Sequence, residues 1–84
     1  MMTDVTYGQL DRVLRALGFT ARVLTSRPKA RVYKHADTGA LISLGYHPDS
    51  WSVRPHHLAA VQGTLEVFGI AEPLELAAEL QKAS

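Results

Sequence analysis

Phe19-Thr20-Ala21-Arg22-Val23-Leu24, then Ala30-Arg31-Val32-Tyr33-Lys34-His35, then Ala40-Leu41-Ile42-Ser43-Leu44: these three runs decide the fold. The first two alternate between polar and apolar side chains, the period-two signature of a half-buried strand. The third is apolar enough to be well covered. Ser26-Arg27-Pro28 breaks the first run from the second, and Asp37-Thr38-Gly39 has turn composition. Connections this short join the three strands as an antiparallel meander.

Helices flank the meander. Upstream, Thr6-Tyr7-Gly8-Gln9 has the form of a capping box, with Thr6 as N-cap and Gln9 three residues on. Leu10, Val13, Leu14 and Leu17 make one apolar stripe, and Gly18 suits a left-handed C-cap, so a helix is predicted over residues 7–17. Downstream, His47-Pro48-Asp49-Ser50-Trp51-Ser52 reads as a loop, and Pro55 suits a first helical turn. Leu58, Val61, Leu65 and Phe68 form a second stripe closed by Gly69. Glu72-Pro73 opens a last short helix through Leu80, with Glu75, Glu79 and Lys82 facing outward. The order α-β-β-β-α-α is an α+β architecture. It is a three-stranded antiparallel sheet with its helices packed on one face.

Strand parity then assigns the faces. Phe19, Ala21, Val23, Ala30 and Val32 are expected to face the helices. Arg22, Arg31, Tyr33 and His35 would point to the open side, where cations meet phosphate and an aromatic ring stacks a base. The alternative is a merely solvated sheet face.

Length and composition bound the rest. Eighty-four residues make a single domain over 1–84, and chains of this size bury about 60–65% of their unfolded surface. The chain is 46% apolar and 20% charged, an ordinary globular mix. The absence of cysteine excludes disulfides, thiolate zinc sites and a cysteine nucleophile. No apolar run approaches the roughly 18 residues of a membrane span. The segment from Met1 to Leu10 has neither a basic start nor an apolar stretch, so no signal peptide is expected, and the cytoplasm is the expected compartment. No cofactor is expected.

The net charge of +1 conceals a split. Residues 1–35 hold seven basic side chains against two acidic ones, and residues 36–84 hold two basic against six acidic. Such asymmetry points to an anionic partner or to a solvated basic face. The densest basic cluster is Arg27-Pro28-Lys29-Ala30-Arg31, read either as a phosphate contact or as a charged edge that resists aggregation.

Together these segments resemble the HicA (YcfA-like) family, the toxin half of a bacterial toxin–antitoxin pair with a double-stranded-RNA-binding-domain-like fold. Tyr7-Gly8-Gln9-Leu10 with Leu17-Gly18-Phe19 looks like the family's opening helix and its exit. Val32-Tyr33-Lys34-His35 with Asp37-Thr38-Gly39 looks like its Y-K-H-P-x-T-G hairpin, and the run from Thr64 to Ile70 like its second helix. The resemblance implies metal-independent RNA cleavage by a histidine in a Gly-Ser-His motif at the start of the second strand. Pro28-Lys29-Ala30 stands there instead, and Ala30 offers no general base. The loop 45–54 is also longer than the family's, and its Trp51 is unusual.

Three readings follow. The first is an RNA-binding domain without the family's catalytic histidine, using Arg22, Arg27, Lys29, Arg31 and Lys34 for phosphate and Tyr33 for stacking. The second is a protein-interaction module, a homodimer or the partner of a HicB-like antitoxin. The third is a ribonuclease with a relocated histidine, His35 or His47, provided these two face each other across the hairpin end. His56 and His57 are adjacent, about 100° apart on a helix, and no metal site is expected from that spacing. Trp51 either folds back over the core or stands exposed as a partner anchor.

Overall fold

The computed structural model describes residues 5–25 and 29–83. The element order is α1 (Tyr7–Ala16), β1 (Phe19–Leu24), β2 (Ala30–His35), β3 (Leu41–Gly45), α2 (Pro55–Val67) and α3 (Pro73–Lys82). The strands form one antiparallel sheet in the order β1-β2-β3. The expected α+β order and meander are therefore present. Among the described residues no helix is long and apolar enough to cross a membrane.

Local sequence signals account for the element ends. The Thr6 hydroxyl accepts the Gln9 N–H at 3.2 Å, and Gln9 Oε1 accepts the Thr6 N–H at 2.8 Å, which completes the capping box. Gly18 takes the positive φ of +101° that lets the chain leave α1 and enter β1 directly. Leu10, Val13 and Leu14 of α1, Val61 and Leu65 of α2, and Leu76 and Leu80 of α3 pack with Phe19, Tyr33, Ile42 and Leu44 into one core. Phe68, expected at the end of the α2 stripe, is the C-cap residue and stays 45% exposed.

The phase of β2 differs from the expectation. Phe19 pairs with His35, Ala21 with Tyr33, and Val23 with Arg31; Tyr33 in turn pairs with Ile42, and Arg31 with Leu44. Directly paired residues share a face. Phe19, Ile42 and Leu44 must be inward, so Tyr33 and His35 go inward with them, and both are buried. Ala30 and Val32, expected inward, lie on the open face. The tyrosine contributes a large ring to the core, and its hydroxyl finds a partner, donating to Asp11 Oδ1 at 2.8 Å. A valine at the next position gives up less by facing out.

Tyr33 is therefore not available to stack a base from the open face, because its ring is only 1% exposed. Burial, then the Asp11 hydrogen bond, raises the Tyr33 pKa well above the usual phenol value. His35 is likewise a structural group. Its Nε2–H donates to the Leu17 carbonyl at 3.0 Å, and its Nδ1 accepts from the Thr38 hydroxyl at 2.9 Å. It thus closes the end of α1 onto the β2–β3 turn.

Candidate functional site

The five cations and one ring expected to contact RNA, of which Arg22, Arg31 and Tyr33 are expected on the open face, are divided. Arg22 and Lys34 occupy the open face. Arg31 points the other way, into ion pairs with Asp49 at 2.9 Å and Asp11 at 3.8 Å, and its side chain is 15% exposed. Lys29 lies with its Nζ 4.1 Å from the centre of the Tyr46 ring. Arg27 falls outside the described residues. His35 and His47 do not meet. His35 ends β2 opposite Phe19, whereas His47 follows Gly45, which pairs with Ala30 at the far end of that strand. Five residues of strand separate the two ends, about 17 Å.

What converges instead is the loop after β3 with the first turns of α1 and α2. The N-terminus of α1 leaves N–H groups without helical partners. The Tyr7 N–H donates to the Trp51 carbonyl and the Gly8 N–H to the Asp49 carbonyl, each at 3.0 Å, and Val53 N–H donates to the Val5 carbonyl. The loop is thereby pinned across the start of the helix. Gly8 permits this approach: a Cβ there would stand 3.2 Å from Asp49 Cβ and 3.3 Å from its carbonyl oxygen.

On that frame sits a cluster of rings. Tyr7, 4% exposed, stacks on His47 with centroids 4.8 Å apart and planes 7° from parallel. His47 lies 5.7 Å from Trp51 and 5.6 Å from His57, and His56 reaches His57 at 4.3 Å. The Tyr7 hydroxyl is 2.7 Å from His57 Nδ1 and accepts the Arg54 N–H at 3.3 Å. His47 Nδ1–H donates to the Gly45 carbonyl at 2.8 Å, which fixes the tautomer and leaves Nε2 as the unprotonated nitrogen of the neutral ring. Burial, and after it the charges of His56, His47 and Arg54, lower the His57 pKa below the usual imidazole value.

The cluster has an exposed rim. Trp51 is 50% exposed, so it stands out from the core rather than closing over it, and Tyr46 is 37% exposed. The guanidinium carbon of Arg31 lies 5.3 Å from the Tyr46 ring centre, on the ring that Lys29 also covers. Arg54 and His56 are exposed at the start of α2. The N-terminal turn of α2 carries no acidic residue, so its partial positive charge adds to theirs. Chemically, the arrangement offers flat rings and positive charge together. Among the described residues no three His, Asp or Glu side chains are grouped to hold a metal ion.

Of the cluster and its rim, His47, Trp51, His56, His57 and Lys29 carry signals in the sequence, His56 and His57 only as an adjacent pair. Tyr7, Tyr46 and Arg54 were missed as site residues. Tyr7 falls on the α1 apolar stripe, three residues before Leu10, so its pattern marks it as core. No protein-family model matches this chain, and no curated protein and no solved structure matches it.

Proposed function

We propose that the protein is an RNA-binding domain, HicA-like and without that family's usual catalytic histidine, that holds a single-stranded segment on the rim built by the 46–54 loop. The observation that carries this reading is that the 46–54 loop exposes two rings, Trp51 beside His47 and Tyr46 beside Lys29, with Arg54 exposed at the start of α2. Single-strand binders combine base-stacking aromatics with cations that follow the backbone, and each stacked base contributes about 1–3 kcal/mol. The rim has both groups, whereas the open sheet face has two cations and no aromatic ring.

A fluorescence-anisotropy titration of a labelled single-stranded RNA tests it. Affinity is expected to fall about seven- to twentyfold between roughly 50 and 200 mM salt, as for two or three phosphate contacts on a single strand. Trp51→Ala is expected to weaken binding about tenfold, the loss of one stacked base. Absence of binding at low salt overturns the reading.

Cleavage of that RNA is the second reading, and the His47–His57 pair is the observation that favours it. One imidazole would take the proton of a ribose 2′-hydroxyl as that oxygen attacks the adjacent phosphorus. The other, protonated, would supply a proton to the departing 5′-oxygen. His47→Ala would then abolish cleavage while RNA is still bound. An intact RNA after prolonged incubation with the wild-type protein rejects this alternative.

A further inference from the structure

We propose that the open sheet face docks the corner between α2 and α3 of a second copy of this chain, head to tail. The sheet register sets Leu24, Ala30 and Gly45 in one row, Arg22, Val32 and Ser43 in the next, and Thr20, Lys34 and Leu41 in the third. Leu24, Val32 and Leu41 therefore run as an apolar diagonal across the face, with Leu24 41% and Leu41 60% exposed. Arg22 and Lys34 lie together on one side of that diagonal. Among the described residues neither has a carboxylate partner. On the other side Ala30, Ser43 and Gly45 leave a shallow strip of small residues.

The corner is the counterpart. Val67 is 81% and Leu74 83% exposed, with Phe68 between the helices. Glu66 and Glu72 flank one depression with Pro73 and Leu74. Among the described residues neither glutamate has a cationic partner. One surface is apolar with cations, and the other is apolar with carboxylates. The charge split between the two halves of the sequence becomes, in three dimensions, a pair of complementary patches on different parts of one molecule.

Complementarity selects the occupant. A two-fold dimer burying sheet face on sheet face would enclose Arg22 and Lys34 of both copies in one interface with no carboxylate on either face to pair them. Docking face to corner pairs them with Glu66 and Glu72. RNA fits the open face poorly, since no ring there can stack a base. The contact is heterologous, so copies add one after another. Both patches are small beside the roughly 800 Å² per partner of a standard interface, so association is weak, on the order of 0.1 mM.

Sedimentation velocity on the intact protein from about 0.02 to 1 mM, spanning that affinity, tests the contact. The mass average is expected to rise with concentration and to fall back with added salt. R22E/K34E alone and E66K/E72K alone are each expected to remain monomeric. Their equimolar mixture should associate again, because each variant's altered patch then meets an opposite one. Recovery in the mixture also shows that both variants are folded. Wild type that stays monomeric at 1 mM, either variant associating alone, or a mixture that does not associate overturns the proposal. So does a loss of RNA affinity in R22E/K34E as large as that in Trp51→Ala, which would assign the open face to RNA.

Discussion

The Tyr7 hydroxyl lies 2.7 Å from His57 Nδ1 and joins the first residue of α1 to the first turn of α2 across fifty positions of chain. The same oxygen accepts the Arg54 N–H, so one buried group organises the base of the aromatic cluster. Tyr7→Phe keeps the ring that stacks on His47 and removes both hydrogen bonds. A cost of about 1–2 kcal/mol is expected, because the Arg54 amide and the imidazole lose their partner. Urea denaturation should show a lower midpoint with an unchanged slope. An unaltered midpoint would mean that the hydroxyl bridges nothing of consequence.

The His57 environment gives stability a pH dependence. Its folded-state pKa lies below the ordinary value of 6.5, first through burial and then through His56, His47 and Arg54. The unfolded chain therefore takes up its proton at a higher pH than the folded one. As pH falls below about 6.5, unfolding gains from that proton, and stability declines until the folded group titrates as well. The urea midpoint should drop between pH 7.5 and pH 5.5, and His57→Gln should flatten the drop. A slope identical in wild type and His57→Gln would assign the pH dependence to other groups.

His35 is expected to matter for stability and not for RNA. His35→Ala leaves the Leu17 carbonyl and the Thr38 hydroxyl without their ring partners. About 2–3 kcal/mol should be lost, as for buried polar groups deprived of hydrogen bonds. RNA affinity, measured at a temperature where the variant is folded, should match wild type. A selective loss of RNA affinity at full stability would return His35 to the functional residues.

Much of the fold was legible because local signals agreed. The capping box at Thr6, the turn at Asp37-Thr38-Gly39 and the proline starts of α2 and α3 each sit at an element boundary. The face of β2 was not legible from β2 alone. Read in isolation, Ala30 and Val32 are the apolar set; paired with β1 and β3, Tyr33 and His35 are. A one-residue change of phase exchanges every side chain between faces, and here the neighbouring strands decide it. The partners that settle the choice, Asp11 for Tyr33 and Leu17 for His35, lie far away in sequence. The same distance hid the ring cluster. His47 and Trp51 stand in one loop and can be noticed there, but Tyr7 joins them only when Asp49 and Trp51 cap α1 through their carbonyls.

Trp51 is the chain's only tryptophan, so its emission reports on the proposed rim and on nothing else. Titration of the wild-type protein with unlabelled single-stranded RNA at low salt is the most direct measurement. The account predicts saturable quenching as a base stacks on the indole, reversed by salt, with a midpoint equal to that from anisotropy. RNA that binds by anisotropy while the emission of Trp51 stays unchanged would contradict it.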